Sequence, residues 1–412
     1  MKRGVGTPVV AMLLLGTLGI STAFGMLLLL PLYVGELGGD EADFGVILSA
    51  GTVPAVLCIG ALIRYPEVLR PYVVVAIAIA VYAAGAAGVS LTMDTWTPLV
   101  GLGVLLGTAW ALVYTATPMV MSEMVTDEGR ATYFGYLTGT QQIGIGAGPV
   151  IARFLVETPL GFRGTFFVAS VVCLFAAALT LAVGALTPYV QKVDGAGSGA
   201  PGGGAAVSAA PSFGFAVRKI LGSEAAFSLG MIMLFACLFT SMTSFQTTFA
   251  NAQRLDYSVY YVAYTVAVIF SRFVLAGTVS RFDSRLVVAV AVSVMALAVA
   301  SFLFVGSSAL TYGLASTFLG FGYGLALPTV QAQAVNVSEE AVRPRVLPIA
   351  GLLFQAAILG FPLIAGWLIA GFGYPTLFAV LVSLSVIQVV ISWWRFAAGK
   401  REHARASNAP PT

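Results

Sequence analysis

The chain has 412 residues, 59% of them hydrophobic and only 9% charged, with a formal net charge of +3 and a mean hydropathy of +0.96. Soluble domains carry about 25% charged residues, so this composition excludes a soluble enzyme or binding module and describes an integral membrane protein. The small net charge argues against a nucleic-acid partner, and only the distribution of the charges is informative.

A membrane-spanning helix needs about 20 consecutive apolar residues. In chain order such runs fall near 8–34, 43–63, 72–92, 97–121, 133–155 and 164–188, then near 223–249, 258–280, 286–306, 309–335, 346–371 and 374–396. The expected fold is therefore all-α, with twelve transmembrane helices in two bundles of six. Met1 to Gly25 begins like a signal peptide, but its apolar run continues through Tyr33, too long for a signal core. Cys58, Cys173 and Cys237 all fall within spans, where they read as small packing residues rather than disulfide or metal partners.

Basic residues set the orientation. With the N-terminus inside, the inner loops and tails hold sixteen of the 20 lysines and arginines, among them Arg64, Arg70, Arg130, Arg281 and Arg285. The outer loops hold Arg153, Arg163 and Arg254 against Glu36, Asp40, Glu41, Asp43, Asp94, Glu157 and Asp256. Both termini are expected in the cytoplasm, in a multi-pass protein of the cell inner (plasma) membrane.

Between Gln191 and Pro211 glycine, serine and alanine dominate, the composition of a flexible coil. The expected organisation is a first bundle over 1–190, a cytoplasmic linker over 191–215, a second bundle over 216–396 and a basic tail over 397–412. The halves echo one another. Gly107 to Arg130 and Gly320 to Arg343 are both 23 residues, and Trp110 and Tyr323 each follow their glycine by three. Parallel halves of this kind occur in transporters that bind substrate near the midplane.

The stretch from Tyr133 to Arg153, YFGYLTGTQQIGIGAGPVIAR, combines span-like apolarity with five glycines, a proline and two adjacent glutamines. On a helix Gly135, Gly139 and Gly146 fall on one side, and Gly144, Gly148 and Ala152 nearly opposite. Small residues let membrane helices approach closely. Pro149 removes the hydrogen bond to the Ile145 carbonyl and should bend the helix there. Gly135, Gly144, Gly148 and Pro149 resemble, in spacing, the antiporter motif in the fifth helix of major facilitator superfamily transporters. That family pattern ends in two further glycines, and Ala152 and Arg153 stand in their place, which removes support for close packing at that end. The resemblance implies a secondary transporter working by alternating access, and the motif implies export, with proton-coupled antiport as one form of it.

Other family signals are degraded. The loop after the second span reads GALIRYPEVLR, Gly60 to Arg70, with Arg64 where the resemblance calls for an acid. The matching loop of the second half, GTVSRFDSR, keeps Arg281 and Arg285 and offers Asp283 as a substitute acid. Arg64, Arg70, Arg130, Arg281, Asp283 and Arg285 are the expected cytoplasmic gate.

No catalytic constellation is visible. Histidine is absent from the spans, and no span interior holds an unambiguous carboxylate, so nucleophile, base and metal-ligand sets are all missing. The chain is not expected to be an enzyme, and neither a cofactor nor a metal is expected. Arg272, nine residues before Arg281, lies inside a span, where a charge is costly and faces a cavity or partner. Two readings stay open for it: binding an anionic substrate group through its planar fork, or snorkelling toward the cytoplasmic gate. Trp110, Tyr114, Gln141 and Gln142 stand at similar depth in the first half. Gln246, Tyr264, Tyr323, Gln331 and Gln355 do so in the second. Singly each reads as helix-packing glue; together they suit an amphipathic small molecule. The expected partners are that small molecule, amphipathic or anionic, and the lipid bilayer, with the protein a monomer. Export of a small organic molecule leads. Uptake of a small organic anion and a non-transporting receptor or scaffold of the same fold remain as alternatives.

Overall fold

The structure, a computed structural model, describes residues 7–65, 70–125, 130–195, 213–275, 277, 281–340 and 342–407. The described residues are helical throughout apart from turns and short connections. Among the described residues eleven helices are long and apolar enough to cross a membrane. The fifth expected span is present as a helix of 27 residues, Arg130–Val156. It is not among the eleven, because its glycines, glutamines and threonines dilute the apolar side chains.

Several spans are broken where the backbone chemistry requires it. The first runs as α1 (Thr7–Met26), a 3-10 turn at Leu27–Leu29 and α2 (Leu30–Glu36). Pro31 stands in the first turn of α2; it has no N–H for the Leu27 carbonyl, and the Leu30 N–H takes that acceptor instead. The second span is α3 (Glu41–Ser49) followed by α4 (Thr52–Arg64). Pro54, four residues beyond Ala50, withholds the bond that would have joined them. Asp40 and Asp43 open α3 with a reciprocal capping box, both bonds 3.0 Å, satisfying donors that the helix leaves unpaired.

Next come α5 (Pro71–Leu91), α6 (Leu99–Met124), α7 (Arg130–Val156) and α8 (Gly161–Gly195). After α9 (Phe213–Leu221) the chain continues as α10 (Ala225–Ser244), α11 (Gln246–Ala252) and α12 (Tyr257–Phe270). A π-helical turn, Ser271–Leu275, extends α12. The last four helices are α13 (Ser284–Ser301), α14 (Ala309–Asn336), α15 (Arg343–Phe372) and α16 (Tyr374–Ser407). Residues 196–212 of the expected linker lie outside the described residues; its first five residues belong to α8 and its last three to α9.

The chain forms two compact units. Unit 1 comprises Met1–Ala210 together with two later segments, Thr243–Thr248 and Ile358–Ala370; unit 2 comprises the remainder. Within unit 1, α1 packs on α7 and α8, α5 on α6 and α8, and α3 and α4 on α6. Within unit 2, α13 packs on α14 and α16, and α12 on α14. Ordered by span, the pairings of third with fourth, third with sixth and second with fourth recur in both. The two late segments seat on unit 1 through backbone. Thr247 Oγ1 donates to the Leu28 carbonyl at 3.2 Å. Ser49 Oγ donates to the Gly360 carbonyl at 3.4 Å and accepts from the Leu363 N–H at 3.0 Å.

Candidate functional site

The α7 motif earns its glycines against α1. A Cβ on Gly144 would lie 2.6 Å from Ser21 Cβ and 2.8 Å from the Thr22 nitrogen. One on Gly148 would meet the Thr22 carbonyl and the backbone of Gly25. Gly25 answers from the other side: a Cβ there would stand 2.6 Å from the Ile145 carbonyl oxygen. That is the carbonyl which Pro149 cannot bond, so the freed acceptor faces a residue with no side chain. The two helices therefore meet backbone to backbone. Ala152, in place of a family glycine, is fully buried, so close packing at that end tolerates a methyl group.

Beside this contact stand the expected binding residues of unit 1. Trp110 on α6 is buried and stacks on Phe24 of α1, centroids 3.8 Å apart and planes 17° from parallel. Tyr114, one turn on, is half-buried with its ring 6.3 Å from Trp110. Gln141 and Gln142 on α7 are both buried, and Gln142 Nε2 has no hydrogen-bond partner among the described residues. Gln246 also falls in unit 1, at the start of α11, where it is 1% exposed.

Unit 2 repeats the arrangement. Tyr323 on α14 stacks on Phe239 of α10 at 5.3 Å and 21°, and meets Phe235 edge-on at 6.0 Å. Tyr264 on α12 lies 6.1 Å from Tyr323. The glycines keep the same register. Gly107 on α6 packs on Gly51 of the second span, and Gly320 on α14 packs on the Tyr264 backbone of the eighth. Gly51 and Tyr264, Gly107 and Gly320, and Trp110 and Tyr323 are each 213 residues apart. Gln331 is half-buried two turns beyond Tyr323. Gln355 on α15 is 1% exposed, and neither its Nε2 nor its Oε1 has a partner among the described residues. A buried amide left with both ends unmatched is rare and calls for a ligand or water. Arg272 sits in the π turn, half-buried, its Nε enclosed and without an acceptor among the described residues. Such turns recur at functional sites, because the extra residue per turn re-aims a side chain.

Phe24 and Phe239 are missing from the sequence reading. Phenylalanine is common in apolar spans, and only the neighbouring helix distinguishes a stacking ring from a lipid-facing one.

The expected gate residues are spread along the basic ends. Arg64 is exposed and lies over the Tyr65 ring at 5.4 Å. Arg70 is exposed and donates to the Tyr72 hydroxyl at 3.5 Å. Arg130 starts α7, with its side chain outside the described residues. Arg281 is exposed. Asp283 accepts from the Arg285 N–H at 2.8 Å and so caps α13. Arg285 is half-buried. Among the described residues no group of three or more histidines, cysteines or carboxylates could hold a metal.

The family model described as Major Facilitator Superfamily matches residues 11–360. The chain belongs to that superfamily. Among curated proteins, none matches it in sequence. Several solved structures share its fold. A variant of the nucleoside transporter NupG superposes with a TM-score of 0.71 at 13% identity, over 94% of this chain and 100% of that one. The human organic anion transporter MFSD10 (TETRAN) gives 0.65 at 16%, over 93% and 98%. A POT family transporter in complex with a thioalcohol-conjugated peptide gives 0.70 at 11%, over 95% and 96%. At these identities the likeness carries the fold alone, and membership of the superfamily makes the chain a multi-pass membrane protein of the transporter class.

Proposed function

We propose that this protein is a secondary active transporter that exports a small organic molecule by alternating access. In this reading it spans the plasma membrane twelve times as a monomer, with both termini in the cytoplasm. The observation that carries it is the contact between α1 and α7 at Gly25, Gly144 and Gly148. Helices that meet through backbone have no interlocked side chains, so one can shift along the other without repacking a core. The motif that resembles those of antiporters is thus part of a contact suited to movement.

The substrate class follows from the faces within each unit. Unit 1 supplies the stack of Phe24 on Trp110 and the Gln142 Nε2, unit 2 the stack of Phe239 on Tyr323 and the Gln355 amide, and these amide atoms have no partner among the described residues. Apolar walls with a few directed polar groups suit an amphipathic small molecule. A second reading, uptake of a small organic anion, rests on the enclosed and unmatched Nε of Arg272, since a guanidinium binds carboxylate or phosphate through two parallel bonds.

A library of small organic molecules, screened by thermal stabilisation of the purified protein, identifies ligands. Transport of each is then followed in everted and right-side-out membrane vesicles carrying a proton gradient. Accumulation in everted vesicles is the expected result. Accumulation only in right-side-out vesicles favours uptake, and binding without movement in either favours a receptor of the same fold.

A further inference from the structure

The last helix carries a polar stripe that the transport reading does not use. Ser385, Gln388, Ser392, Arg395 and Gly399 recur at spacings of three and four and so share one face of α16. Ser385, Gln388 and Ser392 are buried. The Gln388 Nε2 donates to the Met231 carbonyl at 3.2 Å, while its Oε1 has no partner among the described residues. The Ser392 hydroxyl, on a residue 4% exposed, has none either. Arg395 donates to Ser228 Oγ at 3.2 Å and is subject to the positive charge of Arg285 as well as the negative charge of Glu224. The Arg285 guanidinium fills the space that the absent side chain of Gly399 leaves open. Arg285, Gln333, Ser392 and Arg395 border a cavity of about 10 Å³, room for one water-sized atom.

Two guanidinium groups of one unit therefore converge on a pocket that contains an unmatched hydroxyl. No carboxylate forms an ion pair with Arg395 among the described residues. A second feature points to what covers the pocket. Trp393 and Trp394, next to Arg395, are 42% and 58% exposed, and exposed tryptophans of membrane helices settle at the headgroup level. Trp394 packs on Phe227 at 5.7 Å, and the Arg395 guanidinium lies 6.0 Å from the same Phe227 ring.

We propose that this end of unit 2 binds a phosphate-type oxyanion, with a phospholipid headgroup as the source favoured by the exposed Trp394 and Phe227 beside it. One oxygen enters the cavity and accepts from the Ser392 hydroxyl. The others meet Arg395 and Arg285, whose planar forks match phosphate geometry. Basic pockets between membrane helices take anionic headgroups in this way.

The test is native mass spectrometry of the purified protein titrated with phosphatidylglycerol, with phosphatidylcholine and with inorganic phosphate. Phosphatidylglycerol is expected to bind at least about tenfold more tightly than phosphatidylcholine. Arg395→Gln is expected to weaken it by about tenfold or more, the loss of one charge-assisted hydrogen bond. Ser392→Ala removes only the hydroxyl and should also weaken it, and Arg395→Lys should fall between wild type and Arg395→Gln. If inorganic phosphate competes with the lipid and binds as tightly, the site stands and its source is a free anion. Equal affinity for both lipids together with no phosphate binding, or unchanged phosphatidylglycerol affinity in both Arg395→Gln and Ser392→Ala, overturns the proposal.

Discussion

Phe24 on α1 stacks on Trp110 on α6 with ring centroids 3.8 Å apart and planes 17° from parallel. The pair joins the first and fourth spans of unit 1. Phe239 and Tyr323 join the seventh and tenth in unit 2, at 5.3 Å and 21°. The two stacks repeat a flat aromatic surface built from unlike residues. An aromatic pair contributes about 0.5–1.5 kcal/mol beyond the area that it buries.

If the stacks are substrate platforms, their loss acts on binding. Trp110→Ala and Phe239→Ala are each expected to weaken the ligand found by screening, while Trp110→Phe retains most affinity because the flat face survives. Isothermal titration of purified variants checks this. Wild-type affinity in both alanine variants would make the stacks purely structural.

The contact at Gly25 and Gly148 yields a prediction with an internal control. A leucine at either position must displace backbone, and overpacking a fitted contact costs about 1–3 kcal/mol. Gly148→Leu and Gly25→Leu should insert into the membrane, melt at lower temperature and transport poorly. Gly101→Ala, where an added Cβ would meet no described atom beyond its own helix within 4 Å, should melt no lower than wild type, since alanine favours a helix over glycine. A melting series in detergent decides it: if Gly148→Leu matches Gly101→Ala, α1 and α7 do not depend on this approach.

The sequence reading reached the spans and the motif by different routes. An apolar run near 133–155 marks α7 in the sequence, yet among the described residues it falls outside the eleven helices apolar enough to span, and Gly144, Gly148 and Pro149 set it apart through their spacing. The partner of those glycines was not legible, because Gly25 is one small residue in an apolar run and only packing selects it. Trp110 and Tyr323 were legible through their register after Gly107 and Gly320, whereas their stacking partners Phe24 and Phe239 were not. The π turn that carries Arg272 is set by tertiary packing: Gly324 on α14 leaves the space that the Ser271 hydroxyl occupies. No local propensity in SRFVL encodes it.

Arg272 offers a test that separates binding from gating. Arg272→Lys keeps the charge but loses the two-bond geometry, and Arg272→Gln loses both. A charged hydrogen bond is worth about 1.5–3 kcal/mol, or roughly ten- to a hundredfold in affinity. Under the anion reading, affinity falls from wild type to lysine to glutamine. Equilibrium binding needs no turnover, so a gating role would leave affinity level while transport slows. Equal affinity for wild type and Arg272→Gln would remove this residue from the binding site.

Gln355 should set stability and function against each other. Both ends of its amide are enclosed and unmatched by protein groups, a cost of about 1–3 kcal/mol for each buried polar group left unpaired. Leucine is close in size and carries no such demand. Gln355→Leu is therefore expected to melt higher than wild type in the absence of ligand. It should also bind the screened ligand more weakly, because the amide that the ligand would satisfy is gone. The gain in melting temperature from ligand, taken as the difference between loaded and empty protein, should shrink in the variant even as its baseline rises. Melting curves for four samples, each protein with and without ligand, measure both effects at once. A variant that melts lower than wild type when empty would mean that Gln355 is matched inside the fold. A variant with an undiminished ligand-induced gain would place the amide away from the substrate.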